Sequence, residues 1–409
     1  MNELESHCWP SRRPRPALVA SWLLGPLVVM FLVTCSPDQA TNGPPPATQL
    51  RFTVQPSKTW PVAAITPAVQ VTALDGQGNT AIGFTGNVTV AVGTNPGGAT
   101  LSGTMTAAAE NGVATFGNLT INHTGAGYTL TASAAQLAGA SSNPFDIPAP
   151  FGHIFIVVEE NTNCGTVMGD TSMPYLNSLA GRYGLGTQYY ANTHPSIGNY
   201  FMLTVGDTIT NNDSYSGTVS QDNVVRELVA AGKTWKSYAE DLPYVGDTAP
   251  GVGNYARKHN PFAFLSDVRA DTAQAKNIVP FTQFSQDLTA GTLPNYAMII
   301  PNLCNDAHDC PLSTADAWLA ANIDPLIKSA LFQQDGLLVI LFDESGSDNT
   351  NGGGRICWVA VSPKAKRGYQ STTLYQHQST LRLSLQGLGV TVFPNAAATA
   401  PAPTEFFLP

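Results

Sequence analysis

HIFIVVEEN (153–161) is an almost unbroken apolar run that ends in three polar residues. A half-buried strand alternates apolar and polar positions; a strand covered on both faces does not. The run therefore predicts a buried parallel strand whose carboxyl end opens onto a site. NYAMIIPN (295–302) and GLLVILFDES (336–345) repeat the pattern, and CWVAVSP (357–363) predicts a further strand. Between them MPYLNSLAGRYG (173–184), NVVRELVAAG (223–232), STADAWLAANIDPLIKSA (313–330) and STLRLSLQGLG (379–389) carry helical spacing. Strands alternating with helices predict an α/β/α sandwich with a mostly parallel sheet over residues 151–395. Ligands of such sheets sit at the carboxyl ends of the strands, where the polar clusters of this chain fall.

Upstream of Pro148-Ala149-Pro150 the pattern changes. Residues 49–148 hold short alternating runs: LRFTVQ (50–55), AVQVTAL (68–74), NVTVAVG (87–93), VATFGNLTI (113–121) and YTLTAS (128–133). Turn signals such as DGQGN (75–79) and ENG (110–112) separate them. This predicts an all-β antiparallel sandwich. The unit resembles bacterial Ig-like surface repeats, most clearly in ENGVATFGNLTINHTGAGYTLTAS (110–133). It holds no catalytic constellation, and His123 stands alone as a structural residue. A spacer or adhesive module contacting envelope or surface components is expected.

Residues 1–35 carry the marks of an export signal. Arg12, Arg13 and Arg15 precede an uncharged, mostly apolar stretch from Ala17 to Thr34, and Cys35 follows. Leu32-Val33-Thr34-Cys35 resembles a bacterial lipobox, with Thr34 in place of the usual small residue. Cys35 is either the lipidated mature N-terminus, anchoring the chain to a membrane, or part of a plain signal segment. Residues 36–48 (SPDQATNGPPPAT) form a polar, Pro-rich linker. A periplasmic or extracellular location follows, with the last residues, 396–409, as a flexible tail.

The 409 residues are 43% hydrophobic and only 11% charged, with a net charge of −9. That excludes a disordered or coiled-coil chain. It also excludes nucleic acid as a partner held by a phosphate-neutralising surface. Beyond the signal segment, Cys164, Cys304, Cys310 and Cys357 all lie after residue 150. Cys304 and Cys310 flank a short loop that a disulfide would close, leaving Cys164 and Cys357 by elimination. Four cysteines allow three connectivities, and all remain open from sequence. A zinc site lacks the usual C-x₂-C spacing.

Two strand ends deliver oxygen ligands: Glu159, Glu160 and Asn161 from one, Asp343 and Glu344 from the other. Closely placed buried carboxylates repel unless protons or a cation neutralise them, and a hard divalent cation prefers such oxygens. THPSIGNY (193–200) lies between them. A hydroxyl at a helix N-terminus suits attack on a phosphoryl group, since the N–H groups there favour an anion. Thr193 and Ser196 both qualify by chemistry. Arg257-Lys258-His259-Asn260, Asp306-Ala307-His308-Asp309 and His377 add cationic contacts and a general acid.

The span from about 153 to 390 resembles the bacterial phosphoesterase family of acid phosphatases and phospholipases C, within the alkaline-phosphatase superfamily. HIFIVVEENTN, THPSIGNYFMLTVGD, YARKHNPFAFLSDV, IIPNLCNDAHDC, LLVILFDES and YQHQSTLRL occur in family order. The resemblance implies an alkaline-phosphatase-like fold and one divalent metal ion (Ca, Mg, Mn or Zn). Its ligands would be Glu160, Asn161, Ser196, Asp343 and Glu344. The nucleophile would be Ser196 rather than Thr193, with Gly198 standing where the family usually has Pro. Asn199 and Arg257 would contact the phosphate, and His259, His308 and Asp306 would line the phosphate or leaving-group side. His377 falls where two-metal members of the superfamily place a ligand for their second metal, with His308 and His377 acting here in that metal's place. A phosphoserine intermediate is implied, with a small-molecule or lipid phosphomonoester, phosphoinositides included, as substrate. A phospholipase C-type diesterase and a degenerate surface-binding protein are the alternatives.

Overall fold

The computed structural model describes residues 43–408. The expected export signal, Cys35 and the start of the linker lie outside the described residues. One eight-stranded sheet organises the chain from residue 153 onward. From edge to edge its strands are Ile278–Pro280, Trp235–Ala239, Tyr296–Ile300, His153–Glu159, Gly336–Phe342, Trp358–Val361, Gly184–Gly186 and Tyr369–Ser371. Only Trp358–Val361 runs against its neighbours; the other neighbouring pairs are parallel. The architecture is α/β with a mixed sheet.

The apolar runs take the centre. Every residue of His153–Glu159 after the first is buried, as is every residue of Tyr296–Ile300 and Gly336–Phe342. Strands flanked on both sides and covered on both faces have no solvent face for a polar residue, which is why these runs do not alternate. His153–Glu159 pairs with Gly336–Phe342 in parallel register from His153 opposite Gly336 to Glu159 opposite Phe342. The helices Ser196–Thr204 and His377–Gly387 pack against each other. Disulfides join Cys164 to Cys357 and Cys304 to Cys310. These are one of the three pairings that spacing left open.

Residues 49–147 are all β, in antiparallel ladders that include one three-stranded and one four-stranded sheet. They enclose a separate core that includes Val69, Val71, Val88, Phe116 and Tyr128. This part is firmly seated on the α/β part. The Trp60 ring meets Phe151 edge-on at 5.4 Å and stacks on Phe407 at 5.6 Å. Gln386 Nε2 donates to the Pro61 carbonyl at 2.6 Å.

The C-terminal residues correct an expectation. Residues 396–409 read as a flexible tail because Ala and Pro dominate them, yet Phe406 is fully buried and Phe407 is 4% exposed. The Phe406 ring lies 4.8 Å from Trp358 and 5.3 Å from Tyr369. Leu408 N donates to Lys364 O at 2.9 Å. Two aromatic side chains at the end of a low-complexity segment are enough to pin it, because each removes a large apolar surface from water. Phe406→Ala is expected to lower the unfolding free energy by about 3–5 kcal/mol, read as a shift of the urea midpoint. An unshifted midpoint would return this segment to the flexible state first expected of it.

Candidate active site

The parallel register brings the acidic residues together. Glu159 faces Phe342, so Glu160 and Asp343 are the next neighbours up the two strands. Asp343 N donates to Glu159 O at 2.9 Å, and Asn161 N donates to Asp343 Oδ1 at 3.1 Å. Asn161 has φ of 51°, a left-handed conformation that Asn tolerates better than most residues. The turn aims its N–H back at the neighbouring strand end.

The helix Ser196–Thr204 begins after Pro195 and presents Ser196, Asn199 and Tyr200 on one face, the i, i+3, i+4 relation. Ser196 Oγ donates to Glu160 Oε2 at 3.1 Å, and Tyr200 Oη donates to Glu160 Oε1 at 2.5 Å. Thr193, the rival hydroxyl, donates instead to the His194 carbonyl at 3.1 Å. Asn199 is an inward latch. Its Oδ1 accepts from Asn192 N (3.0 Å) and Thr193 N (3.2 Å), and its Nδ2 donates to Thr193 O (2.8 Å). The same amide reaches Glu344 Oε2 at 3.5 Å. The amide that the resemblance assigns to phosphate is thus engaged with the protein itself. At Gly198, in the first turn of the helix, a Cβ would lie 2.6 Å from both Asn211 Oδ1 and Thr193 Cγ2, so the close approach of these side chains favours glycine there.

A buried trio of Glu160, His259 and Asp306 completes the floor. His259 Nε2 lies 3.3 Å from Glu160 Oε1, and its Nδ1 lies 3.4 Å from Asp306 Oδ2. Tyr200 stacks on the imidazole with centroids 5.1 Å apart. The expected ligand set is therefore brought together only in part. Glu160, Asn161, Ser196 and Asp343 converge, whereas Glu344 Oε2 turns to His194 Nδ1 at 2.9 Å. His259 and Asp306, assigned to phosphate from sequence, belong to the closest group of metal-capable side chains among the described residues.

Electrostatics favour a cation here. Burial first, and then the carboxylates of Asp343 and Asp306, push Glu160 well above the ordinary range. Burial and Asp343 raise Glu344 to about 8, and burial raises Asp306 to about 7. Burial, with Lys258 nearby, lowers His259 to about 3, so the ring is neutral. Asp343 Oδ2, Asp306 Oδ2 and His259 Nε2 are buried without a hydrogen-bond partner. Unsatisfied buried oxygens beside a neutral imidazole are costly alone and are the donors a hard divalent ion takes. The residues present fit a divalent metal.

Three residues near the centre were given no role from sequence, Tyr200, His194 and Asp213, and Lys258 was read only as one of a cationic cluster. Lys258 Nζ pairs with Asp213 Oδ2 at 2.7 Å, and Asp213 Oδ1 accepts from Ile197 N at 3.2 Å. A carboxylate thus lies at the first turn of the Ser196 helix, where the free N–H groups favour an anion. Lys258 stood in view between Arg257 and His259, but nothing local shows which basic residue points inward. Arg257 points elsewhere, with its guanidinium 4.8 Å over the Phe264 ring. His308 sits at the rim, its ring 5.9 Å from His259 and its Nδ1 2.7 Å from Asp309.

His377 opens the helix His377–Gly387. It is fully buried, and its Nε2 lies 2.6 Å from the main-chain oxygen of Asp343. Burial lowers it to about 4. A neutral, enclosed imidazole at this place is set to hold the Asp343 backbone.

A model of the Phosphoesterase family matches residues 157–390. A phosphatidylinositol-3-phosphatase of Mycobacterium tuberculosis is 34% identical over 261 residues, covering 63% of this chain and 83% of that protein. An acid phosphatase of Aspergillus fumigatus is 31% identical over 264 residues, covering 61% of this chain and 58% of that protein. The chain thus spans little more than half the length of the fungal relative. A solved alkaline-phosphatase-superfamily protein from Vibrio parahaemolyticus aligns over 63% of this chain and 73% of its own, at 13% identity and a TM-score of 0.43.

Asn199→Ala removes the latch on the 192–193 loop. It is expected to cost about 1–3 kcal/mol of stability, because buried partners lose their hydrogen bonds. Urea unfolding measures this, and an unchanged midpoint would show that the loop is held by other contacts.

Proposed function

The chain belongs to the Phosphoesterase family and is a phosphoric ester hydrolase, and on that premise we propose that it is a metal-dependent phosphomonoesterase working through a phosphoserine at Ser196. The observation that carries this is the placement of Ser196: a 1% exposed hydroxyl on the first turn of its helix, bonded to Glu160. A divalent ion held by Glu160, Asn161 and Asp343, with His259 and Asp306 adjoining, would supply the positive charge that favours the ionised serine.

The chain's own groups account for the rest. Ser196 Oγ passes its proton to Glu160 Oε2 and attacks phosphorus in line, a P–O bond to serine forms, and the bond to the alcohol breaks. Substrate phosphate displaces the Asp213 carboxylate from Ile197 N–H, so that amide and Lys258 meet the equatorial oxygens. His308, partly exposed at the rim, gives the leaving oxygen its proton. Water then attacks the phosphoserine from the opposite side, returning the serine hydroxyl and releasing phosphate.

The names of the relatives, acid phosphatases and a phosphatidylinositol-3-phosphatase, support a monoester. The two disulfides support an oxidising, exported setting. The antiparallel sheets of 49–147 support the Ig-like reading of that part.

Hydrolysis of p-nitrophenyl phosphate tests the mechanism. Ser196→Ala is expected to abolish turnover without unfolding the domain, which thermal unfolding checks. Chelation is expected to stop the wild type, and a divalent ion to restore it. Full activity in either condition would contradict the proposal. Lys258→Met is expected to lower kcat/KM by roughly 10- to 100-fold, the range of a hydrogen bond to a charged group. An unchanged value would remove Lys258 from the phosphate.

A further inference from the structure

Beside the carboxylate cluster lies a cavity of about 440 Å³, of which the mechanism above uses only the inner wall. Its inner wall is the Asp213–Lys258 pair, and Asp213 is the residue that accepts from Ile197 N–H. The cavity therefore begins next to the first turn of the Ser196 helix. Its outer wall includes Tyr215, Gly251, Arg257 and Phe264. Gly251 rests on the backbone before Arg257, where a side chain would collide with the Tyr255 carbonyl.

Arg257 is a half-buried cation without a counter-charge. Its hydrogen bonds go to two carbonyls, Thr248 O at 3.2 Å and Tyr215 O at 3.3 Å. Among the described residues it forms no salt bridge, while neighbouring Lys258 is paired. A guanidinium has five N–H donors, so most remain available for an anion. Its position is also fixed. The ring beneath it, Phe264, packs 5.5 Å from Phe201 of the nucleophile helix and 5.8 Å from Tyr215. One aromatic cluster thus carries both Ser196 and this unpaired charge.

We propose that this cavity receives the alcohol half of the substrate and that Arg257 selects phosphomonoesters whose alcohol carries a second anionic group. The proposal rests on the phosphoesterase reading above. The second anion can come from a free metabolite or from a lipid headgroup. Both offer the same chemistry to the guanidinium.

Phosphoserine and phosphoethanolamine differ by one carboxylate and make the first comparison. The wild type is expected to favour phosphoserine in kcat/KM by roughly tenfold, the factor one charge-assisted hydrogen bond supplies. Arg257→Met keeps the packing over Phe264 and should erase that preference, lowering p-nitrophenyl phosphate turnover far less. Equal values for the two substrates in the wild type, or an equal loss on all three in the variant, would overturn the proposal. A phosphatidylinositol monophosphate in phosphatidylcholine vesicles, set against its deacylated headgroup, separates the sources. Arg257 dependence of either supports the assignment, and dependence of neither overturns it. Calorimetry of phosphoserine binding to Ser196→Ala, with and without Arg257→Met, needs no turnover. It decides the cavity's role even if the wild type cleaves none of these esters and the phosphatase reading falls. Tenfold weaker binding on losing Arg257 supports it, and equal binding overturns it.

Discussion

Everything in the site answers one constraint: two neighbouring parallel strands end in register with carboxylates that water cannot reach. The pairing of Glu159 with Phe342 makes Glu160 and Asp343 neighbours, and both are fully buried. A slip of one residue would turn each side chain to the opposite face and disperse the cluster. The apolar runs below them prevent that slip, since they leave no other depth at which the strands can sit. Like charges held together in a low dielectric resist ionisation. The protein answers with donors, from Ser196 and Tyr200 to Glu160 and from Asn161 N to Asp343. Asp343 Oδ2, Asp306 Oδ2 and His259 Nε2 are left without partners, and a cation would complete them.

The Ser196 helix links this demand to the chemistry proposed above. A single face carries the serine, the amide latch and the tyrosine, so placing one places all three. The helix is buried from Ser196 to Thr204 and packs on the helix whose first residue, His377, holds the Asp343 backbone. Ser196 and the carboxylates are therefore parts of one packed arrangement. The pair of Asp213 and Lys258 stands at its mouth, with a carboxylate where a phosphate oxygen would bind.

Much of this was legible in the sequence, and the limits were physical. The buried strands were readable because a doubly covered strand cannot alternate, so HIFIVVEEN and GLLVILFDES declared both their depth and the polar ends above them. The choice of Ser196 over Thr193 came from family resemblance, since either hydroxyl suits the chemistry; the Thr193 bond to a carbonyl is a matter of geometry alone. Lys258 and Arg257 are adjacent and alike in charge, and only the folded chain turns one toward Asp213 and the other onto Phe264. His377 looked catalytic because an isolated histidine carries no mark of its burial. The last residues looked mobile because composition weighs every position equally, whereas packing depends on two phenylalanines.

The most direct measurement is peptide mapping by mass spectrometry after acid quench of the enzyme turning over p-nitrophenyl phosphate. The account predicts one phosphoryl group on the peptide that contains Ser196, localised to that serine. A phosphoryl group on Thr193, or product formation with no phosphorylated peptide at any quench time, would contradict it.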